Sequence, residues 1–313
     1  MLTQFERVKE EIHKVIIGKD TEIELFFISL MFNGHILLES VPGTGKTMLA
    51  KTFAQTVDSK FSRIQFTPDV LPSDVTGIQF FNPKKQEFEM KMGPIVANIV
   101  LADEINRATP RTQSSLLEVM EEQQVTIDGQ TCRLEKPFVV IATQNPVESQ
   151  QGTFPLPVAQ MDRFFMKLKT DYPTFEEEKQ MATLYQQGDL LKKIEPVLSV
   201  AHIQELQQQV QNVKVVDDVE TYIVNICRET RKHAAVELGV SPRGTLALMK
   251  AAQGHAFIND RDYVTPTDVK EVAPFVITHR MYLTTEGSLT RTPYAVIQEI
   301  LASVPVPVEV SYV

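Results

Sequence analysis

One loop of this chain has the residue types and spacing of a phosphate-binding site. It reads Ser40-Val41-Pro42-Gly43-Thr44-Gly45-Lys46-Thr47 and lies between a short apolar run and a helical stretch. Glycines let backbone N–H groups turn toward an anion, and the start of a helix adds a partial positive charge. In such a loop Lys46 reaches the β- and γ-phosphates, and the hydroxyl of Thr47 ligates Mg²⁺. Ser40 stands where the usual pattern has its first glycine, and a serine can turn there if its φ stays negative.

Two adjacent carboxylates follow another apolar run farther along the chain. Asp103 and Glu104 come directly after Asn98–Ala102, and ligand sites form at the carboxyl ends of strands in open parallel sheets. We expect Asp103 to hold Mg²⁺ together with Thr47, and Glu104 to polarise the water that attacks the phosphate. The expected cofactors are therefore ATP or ADP and Mg²⁺. The expected nucleotide contacts in and after the loop are Gly43, Thr44, Gly45, Lys46, Thr47 and Met48.

Short apolar runs and helical stretches alternate in the first half of the chain. Five runs have the length and the β-branched or aromatic content of buried parallel strands. They are His35–Glu39, Ile64–Thr67, Asn98–Ala102, Phe138–Thr143 and Phe164–Lys169. Helical periodicity separates them, as at Thr47–Val57 and Pro110–Glu122. The alternation predicts an α/β domain over residues 1–172, with a mostly parallel sheet between helices.

The second half of the chain changes character after Tyr172-Pro173. Helical segments dominate, and three of them begin with a capping residue followed by proline, at Ser241-Pro242, Thr265-Pro266 and Thr292-Pro293. No strand pattern of comparable strength is visible there. We therefore predict a smaller, all-α domain over residues 173–313.

Composition excludes several classes of protein. The 313 residues include 40 acidic and 31 basic ones, for a net charge of −9, so a basic nucleic-acid binder is not indicated. Cys132 and Cys227 form no CxxC motif, and the 6 histidines form no HExxH, so a zinc site is not indicated. Free thiols fit a reducing cytoplasm. The apolar stretches are too short to cross a membrane, and we expect a cytoplasmic protein.

Several ordered motifs resemble the MoxR family of AAA+ ATPases. The motifs are Asp103-Glu104-Ile105-Asn106-Arg107-Ala108, Gln113-Ser114-Ser115-Leu116-Leu117-Glu118, Ala142-Thr143-Gln144-Asn145-Pro146, Leu156-Pro157-Val158-Ala159-Gln160-Met161-Asp162-Arg163-Phe164 and Ser241-Pro242-Arg243-Gly244. The resemblance runs nearly end to end, from Ile17-Gly18 to Thr292-Pro293. It implies an AAA+ P-loop core with β-hairpin insertions, followed by a small helical lid.

The resemblance also implies roles for residues outside the loop. Asn145 is similar to sensor 1, an amide that orients the attacking water beside Glu104. Arg163 resembles the arginine finger, which reaches the γ-phosphate in a neighbouring subunit. Arg107 and Arg111 are rivals for that role, since both follow the Asp103-Glu104 pair.

Three further segments carry resemblances. Arg243 looks like sensor 2, which would touch the γ-phosphate of its own subunit, and Ile17-Gly18 resembles the segment that lines the adenine pocket. Residues Asp74–Gly93 have the alternation of a hairpin and resemble the helix-2 insert, which would face a central pore. Residues Val125–Leu134 carry an Asp-Gly turn within alternating residues, which predicts a second hairpin.

The function implied is Mg-dependent ATP hydrolysis at the subunit interfaces of a ring, expected to be a homo-hexamer. The family resemblance further implies chaperone-like remodelling or maturation of a client protein, with a von Willebrand factor A domain protein as partner. Two alternatives stay open. One is a chelatase-like or helicase-like motor of the same superfamily, and the other is a binding module that is gated by ATP but turns it over negligibly.

Overall fold

Buried apolar runs become the strands of one sheet in the computed structural model, which describes residues 3–40, 43–145, 153–186, 188 and 190–307. The described chain divides into two units. The first comprises residues up to 163 together with 168–204, and the second comprises residues 164–167 together with those from 205 onward. An α/β core followed by a helical domain is the predicted fold class.

The first unit contains most of the strands. Its helices are α1 (Gln4–His13), α2 (Asp20–Met31), α3 (Lys46–Gln55), α4 (Pro72–Thr76), α5 (Pro110–Glu122), α6 (Val158–Met161) and α7 (Phe175–Tyr185). The strands along this part of the chain are β1 (Ile36–Ser40), β2 (Val57–Asp58), β3 (Phe61–Gln65), β4 (Gly77–Asn82), β5 (Glu87–Met92), β6 (Ile99–Asp103), β7 (Gln124–Ile127), β8 (Gln130–Arg133), β9 (Val139–Gln144), β10 (Met166–Thr170) and β11 (Leu198–Ser199). Short 3₁₀ turns lie at Ile105–Arg107 and Leu190–Lys193.

Five strands form the central sheet in the order β10-β1-β9-β6-β3. The pairs β1–β9, β9–β6 and β6–β3 are parallel, as predicted. Strand β6 is buried at every position, which is expected for a parallel strand covered by helices on both faces. Because the strands are parallel, the residues that follow β1, β3, β6 and β9 meet at one edge of the sheet.

A buried histidine ties β9 to α5 at the start of β1. The backbone N–H of Val140 donates to Nδ1 of His35 at 3.0 Å, and Nε2 of His35 donates to the carbonyl of Met120 at 3.0 Å. Burial lowers the pKa of His35 from about 6.5 to about 4, although the bond to Met120 opposes this change. His35 is therefore neutral at pH 7 and uses both ring nitrogens in the fold.

The two predicted hairpins are present. Strands β4 and β5 pair antiparallel, with Phe81 opposite Phe88, and the two rings lie 5.4 Å apart in an edge-to-face arrangement. Strands β7 and β8 also pair antiparallel. Their turn has positive φ at both Asp128 and Gly129, which is the type I′ geometry that an Asp-Gly pair favours.

The boundary between the units differs from the predicted one at Tyr172-Pro173. Residues 173–204 pack with the first unit, because β11 pairs in parallel with β2. The N–H groups of Val197 and Leu198 both donate to the carbonyl of Thr56, at 2.8 and 3.1 Å. The N–H of Glu195 donates to a carboxylate oxygen of Glu11 at 2.7 Å. A strand of two residues leaves no readable pattern in a sequence, so hydrophobic periodicity alone does not indicate that residues 173–204 belong with the first unit.

The second unit is helical, with one addition to the prediction. Helix α8 (Val200–Val210) leads into it, followed by α9 (Asp217–Thr230), α10 (Pro242–Ile258), α11 (Pro266–Ile277), α12 (Thr285–Thr290) and α13 (Pro293–Ser303). A 3₁₀ turn lies at Thr278–Arg280. The addition is a short antiparallel ribbon of β12 (Val236–Leu238) and β13 (Tyr282–Leu283). The three predicted starts, at Ser241, Thr265 and Thr292, are all observed as side-chain caps.

Candidate active site

The predicted phosphate-binding loop joins β1 to α3. Gly43 and Gly45 both have a φ of +81°, and a Cβ added to either would meet no described atom within 4 Å. Backbone conformation, not crowding, therefore requires these two glycines. Thr44 lies buried between them. Val41 and Pro42 lie outside the described residues, so the predicted accommodation of a serine at position 40 stays a prediction.

Helix α3 presents its positive end to this loop. The helix begins at Lys46, with Gly45 as a left-handed N-cap residue, and among the described residues no side chain caps it. The first N–H groups of a helix lack partners within the helix and carry its partial positive charge. A phosphate bound here would meet these N–H groups and the ammonium group of Lys46. Thr47, in the same turn, adds a hydroxyl, and Met48 follows it.

A cavity of about 640 Å³ lies beside the loop, within the first unit. Its lining includes residues between Gly43 and Leu49, together with apolar side chains from two other segments. Ile16 and Ile17 precede α2, whereas Leu184 and Tyr185 end α7. The volume is typical of cavities that bind a ligand the size of a nucleotide. The cavity thus combines an apolar wall suited to a base with a loop suited to phosphate.

Ile17 and Gly18 form the segment that resembles an adenine-pocket lining, and Ile17 lines the cavity. The space beside Gly18, however, is taken by Glu177, since an added Cβ would lie 2.2 Å from Oε1 of that residue. Gly18 also has a φ of +67°. The left-handed backbone in the turn into α2 therefore favours glycine here, and the carboxylate end of Glu177 fills the space beside it.

Asp103 lies at the carboxyl end of β6 in a network of donors. Thr143 Oγ1 donates to Oδ1 at 2.6 Å, while Arg63 Nη2 and Thr47 Oγ1 donate to Oδ2 at 2.7 and 3.2 Å. Burial by itself would raise the pKa of Asp103, but the bonds from Thr143 and Arg63 outweigh it and hold that pKa below its ordinary value. Asp103 is thus a carboxylate in direct contact with the first turn of α3.

Glu104 follows in a left-handed conformation, with a φ of 59° and a ψ of 48°. This conformation is uncommon for residues other than glycine and occurs at functional sites. The N–H of Glu104 donates to Thr143 Oγ1 at 2.9 Å. Its Oε2 accepts from Gln65 Nε2 at 2.8 Å and lies 3.2 Å from Arg107 Nε. The hydroxyl of Thr143 therefore fixes both acidic residues: it binds the side chain of Asp103 and the backbone N–H of Glu104.

Arg63, Gln65 and Thr143 were not singled out by sequence reasoning. Arg63 Nη2 also donates to Gln65 Oε1 at 2.5 Å, so the two residues of β3 connect Asp103 with Glu104. Their spacing of two places both on one face of the strand. Polar residues at that spacing, near the end of a strand, could have suggested a functional edge. Only the pairing of β3 with β6 shows which carboxylates they meet.

Asn145 directly follows β9 and is buried. Its carbonyl accepts from Asn106 Nδ2 at 3.4 Å. Nearby, Gln113 Nε2 donates to the carbonyls of Ile105 and Phe154, at 3.2 and 2.8 Å. The chain around Glu104 and Asn145 is thus held by amide side chains from the predicted motifs. The residues after Asn145, from 146 to 152, lie outside the described part of the chain.

The three candidate finger residues have different surroundings. Arg163 follows α6, its side chain is 31% exposed, and its Nε lies 3.8 Å from Glu121 Oε2. Arg107 lies beside Glu104 of the same chain. Arg111 is exposed in the first turn of α5. Among the three, Arg163 combines partial exposure with a long ion pair.

Arg243 lies in the second unit, as the second residue of α10. The cap of this helix is formed by Ser241 Oγ, which accepts from the N–H of Gly244 at 3.2 Å. Arg243 is exposed and lies at the end of the helix that repels a cation.

Two other kinds of site are absent among the described residues. No group of three or more His, Cys, Asp or Glu side chains is arranged to hold a metal ion. No helix is both long enough and apolar enough to cross a membrane. Cys132 and Cys227 are both free thiols.

Two family models match the chain. The model of the ATPase family associated with various cellular activities (AAA) matches residues 35–166. The model of the AAA lid domain matches residues 228–300. The first match includes the phosphate-binding loop, the two carboxylates and Arg163, and the second includes Arg243.

Similar proteins match over nearly the whole chain. The uncharacterized protein YeaC of Bacillus subtilis is 50% identical over 305 residues, which are 97% of this chain and 95% of that protein. Chaperone MoxR1 of Mycobacterium tuberculosis is 41% identical over 312 residues, 96% of this chain and 82% of that protein. The solved structure of a proposed ATPase from Cytophaga hutchinsonii is 38% identical, with a TM-score of 0.91 over 97% of this chain and 95% of that one.

Proposed function

This chain belongs to the MoxR family of AAA+ ATPases, and we propose that it hydrolyses ATP to ADP and phosphate with Mg²⁺. One observation carries the proposal. Asp103 and Glu104 are fixed together by Thr143, and Asp103 contacts Thr47 in the turn that presents the phosphate-binding end of α3. A phosphate-binding loop without turnover would not need the second carboxylate.

The chemistry assigned to the site is attack of water on the γ-phosphorus. As the new P–O bond forms, the bond to the oxygen that bridges the β- and γ-phosphates breaks, and the water gives its proton toward Glu104. Lys46 and the N–H groups of the first turn of α3 stabilise the negative charge on the phosphate oxygens. We assign the orientation of the water to Asn145, as sensor 1, and contact with the γ-phosphate to Arg243, as sensor 2.

Thr47 and Asp103 are the residues that would hold Mg²⁺. Their side-chain oxygens lie 3.2 Å apart, and a hydroxyl and a carboxylate are the oxygen ligands that this ion prefers. When bound, Mg²⁺ supplies positive charge to the β- and γ-phosphate oxygens. Arg63 donates to the same Oδ2 atom, so this arginine has to share or leave that oxygen when the cation is held.

We further propose that each active site is shared between subunits of a ring, expected to be a homo-hexamer. Support comes from Arg163, whose side chain is partly exposed and whose Nε lies at the long distance of 3.8 Å from Glu121 Oε2. A partly exposed ion pair of this length contributes little to stability, so turning Arg163 away from Glu121 costs little free energy. Arg163 would then stabilise the charge that develops at the γ-phosphate bound by its neighbour.

A mixing experiment tests the shared site. Arg163→Ala and Glu104→Gln are each expected to lower ATP turnover severely on their own. When the two variants are mixed and reassembled, an Arg163→Ala subunit with an intact Glu104 meets a neighbour that supplies an intact Arg163, so turnover should return. Arg107→Ala and Arg111→Ala serve as matched controls. If one of these arginines were the finger instead, its alanine variant, and not Arg163→Ala, would regain turnover when mixed with Glu104→Gln. Full activity of Arg163→Ala alone would contradict the proposal.

The remodelling of a client protein is the second part of the proposed function. Support comes from one face of the hairpin of β4 and β5, where Phe81 and Phe88 lie directly opposite each other and are 50% and 67% exposed. Large apolar side chains exposed together mark binding surfaces. We propose that this hairpin contacts apolar segments of an unfolded client. A von Willebrand factor A domain protein as partner, and action in the cytoplasm, complete the proposal.

Client contact can be measured with a permanently unfolded, carboxymethylated protein as the probe. Phe88→Thr removes the most exposed ring of the hairpin while keeping a residue that strands favour. Its binding of the probe should fall several-fold, with basal ATP turnover unchanged. Tyr172→Ser is the matched control, because Tyr172 is 69% exposed elsewhere in the same unit. Equal losses in both variants would contradict a specific role of the hairpin.

A further inference from the structure

Two side chains of the second unit hold the backbone that comes directly after Arg163. Arg280 donates from Nη2 to the carbonyl of Phe164 and from Nη1 to the carbonyl of Phe165, the latter at 3.1 Å. Nε2 of His279 donates to the same Phe164 carbonyl at 3.1 Å. These contacts explain why residues 164–167 pack with the second unit, although the residues on either side belong to the first.

The geometry of this contact makes it specific. Arg280 and His279 are 5% and 4% exposed, and Phe164 is fully buried, so the carbonyls that they bind cannot turn to water instead. A guanidinium offers its donors in a rigid fork, which fixes two successive carbonyls relative to each other. Burial, followed by the nearby charge of Arg280, lowers the pKa of His279 well below its ordinary value. The neutral ring therefore directs its single N–H to Phe164.

The other side of Arg280 lies against Gly244. A Cβ added to Gly244 would lie 2.8 Å from Arg280 Cδ and 2.5 Å from Val240 Cγ1, so this glycine is required by close packing. Gly244 directly follows Arg243 in the first turn of α10. Arg280 therefore contacts the residue after Arg243 with its aliphatic stem, and the residues after Arg163 with its guanidinium.

We propose that Arg280 is a positioning residue that couples Arg243 to Arg163. The inference rests on the roles proposed above for those two arginines. When Arg243 engages or releases a phosphate, movement of the first turn of α10 presses on the stem of Arg280. Because the guanidinium is fixed to the carbonyls of Phe164 and Phe165, the segment after Arg163 moves with it. In a ring, the nucleotide bound by one subunit would thereby determine the position of the Arg163 side chain that this subunit presents to its neighbour.

A double-mutant cycle on the assembled full chain tests the coupling. Arg280→Met keeps the length of the side chain and removes the fork. In the wild-type background it should lower kcat about tenfold with little change in KM, since misplacing a catalytic group by about 1 Å can cost up to about a hundredfold. In an Arg163→Ala background the same substitution should change kcat less than about twofold, because the residue through which it acts is already gone.

Two further variants separate positioning from general damage to the fold. Arg261→Met removes the ion pair of Arg261 with Asp268 in the same unit, and its effect should be equal in both backgrounds. Gly244→Ala forces a shift of Arg280 without removing it, so its loss of kcat should also vanish when Arg163 is absent. Thermal unfolding identifies any variant that does not fold. If Arg280→Met does not fold, Gly244→Ala takes its place in the cycle.

The outcomes are distinguishable. Equal factors of loss for Arg280→Met in the two backgrounds, or no loss in the wild-type background, would overturn the coupling while leaving the ATPase assignment intact. An Arg163→Ala variant with undiminished turnover would overturn the shared active site and the coupling together, and it would be visible in that single variant alone.

Discussion

Gln65 Nε2 donates to Glu104 Oε2 at 2.8 Å, from the strand that pairs with the one presenting the carboxylate. The same oxygen lies 3.2 Å from Arg107 Nε. A carboxylate oxygen has about two lone pairs to offer, so Oε2 is fully engaged within the chain. Attacking water must therefore use the other oxygen of Glu104 or displace one of these donors.

Gln65→Leu, of nearly equal size, removes one donor and should raise the basal kcat for ATP about threefold. KM should stay unchanged, because Gln65 does not line the nucleotide cavity as described. Steady-state hydrolysis gives both values. Gln65→Glu is the control: it places a like charge beside Glu104 and should lower kcat instead. A fall in kcat for the leucine variant would mean that Gln65 aligns Glu104 rather than restrains it.

Gly18→Ala should weaken nucleotide binding about tenfold. The left-handed φ at this position costs roughly 1–2 kcal/mol for a residue with a Cβ, and the new methyl group would collide with Glu177. A change of the backbone at Gly18 would move Ile17, and a shift of Glu177 would move α7. Both Ile17 and α7 line the cavity. Titration with a fluorescent ATP analogue measures the change.

Gly129→Ala is the matched control for Gly18→Ala, since Gly129 has a φ of +81° but open space around it and lies in the β7–β8 turn. It should lower stability while leaving nucleotide affinity unchanged. Similar affinities for the Gly18 and Gly129 variants would disprove the proposed link between the Gly18 turn and the cavity.

The chain should lose stability in acid through His35. Its pKa is about 6.5 when unfolded and about 4 in the fold, so the unfolded chain binds the proton first. The stabilisation is complete above pH 6.5 and is lost as pH falls toward 4, by about 3 kcal/mol in the free energy of unfolding. Urea unfolding at pH 7 and pH 4 measures it. His35→Gln should be less stable at pH 7 but show a correspondingly smaller loss on acidification, whereas an unchanged loss would contradict the assignment.

The parts of the site that follow one another along the chain could be predicted from the sequence. The strands that end at Ser40 and Asp103 begin with the apolar runs Ile36–Leu38 and Ile99–Ala102, and the loop before Lys46 has its own residue pattern. The hairpin turn at Asp128 and Gly129 was equally local. In each case the signal lies within about ten neighbouring residues.

The parts that depend on pairing between distant segments could not be predicted. Arg63 and Gln65 became site residues only because β3 lies beside β6. The contact of Gly18 with Glu177 joins residues far apart in the chain, and so does the hydrogen bond from Arg280 to the carbonyl of Phe164. Such contacts depend on strand order and helix packing, which hydrophobic periodicity does not encode.

The most direct test of the central claim compares Glu104→Gln with the wild type. The substitution keeps the size and the hydrogen-bonding shape of the side chain and removes the charge that polarises water, so kcat should fall at least about a hundredfold. ATP affinity should remain within about threefold, and Glu122→Gln, an exposed change on α5, should behave like the wild type. Equal turnover by Glu104→Gln and the wild type would contradict catalysis at this site and leave a nucleotide-gated binding module.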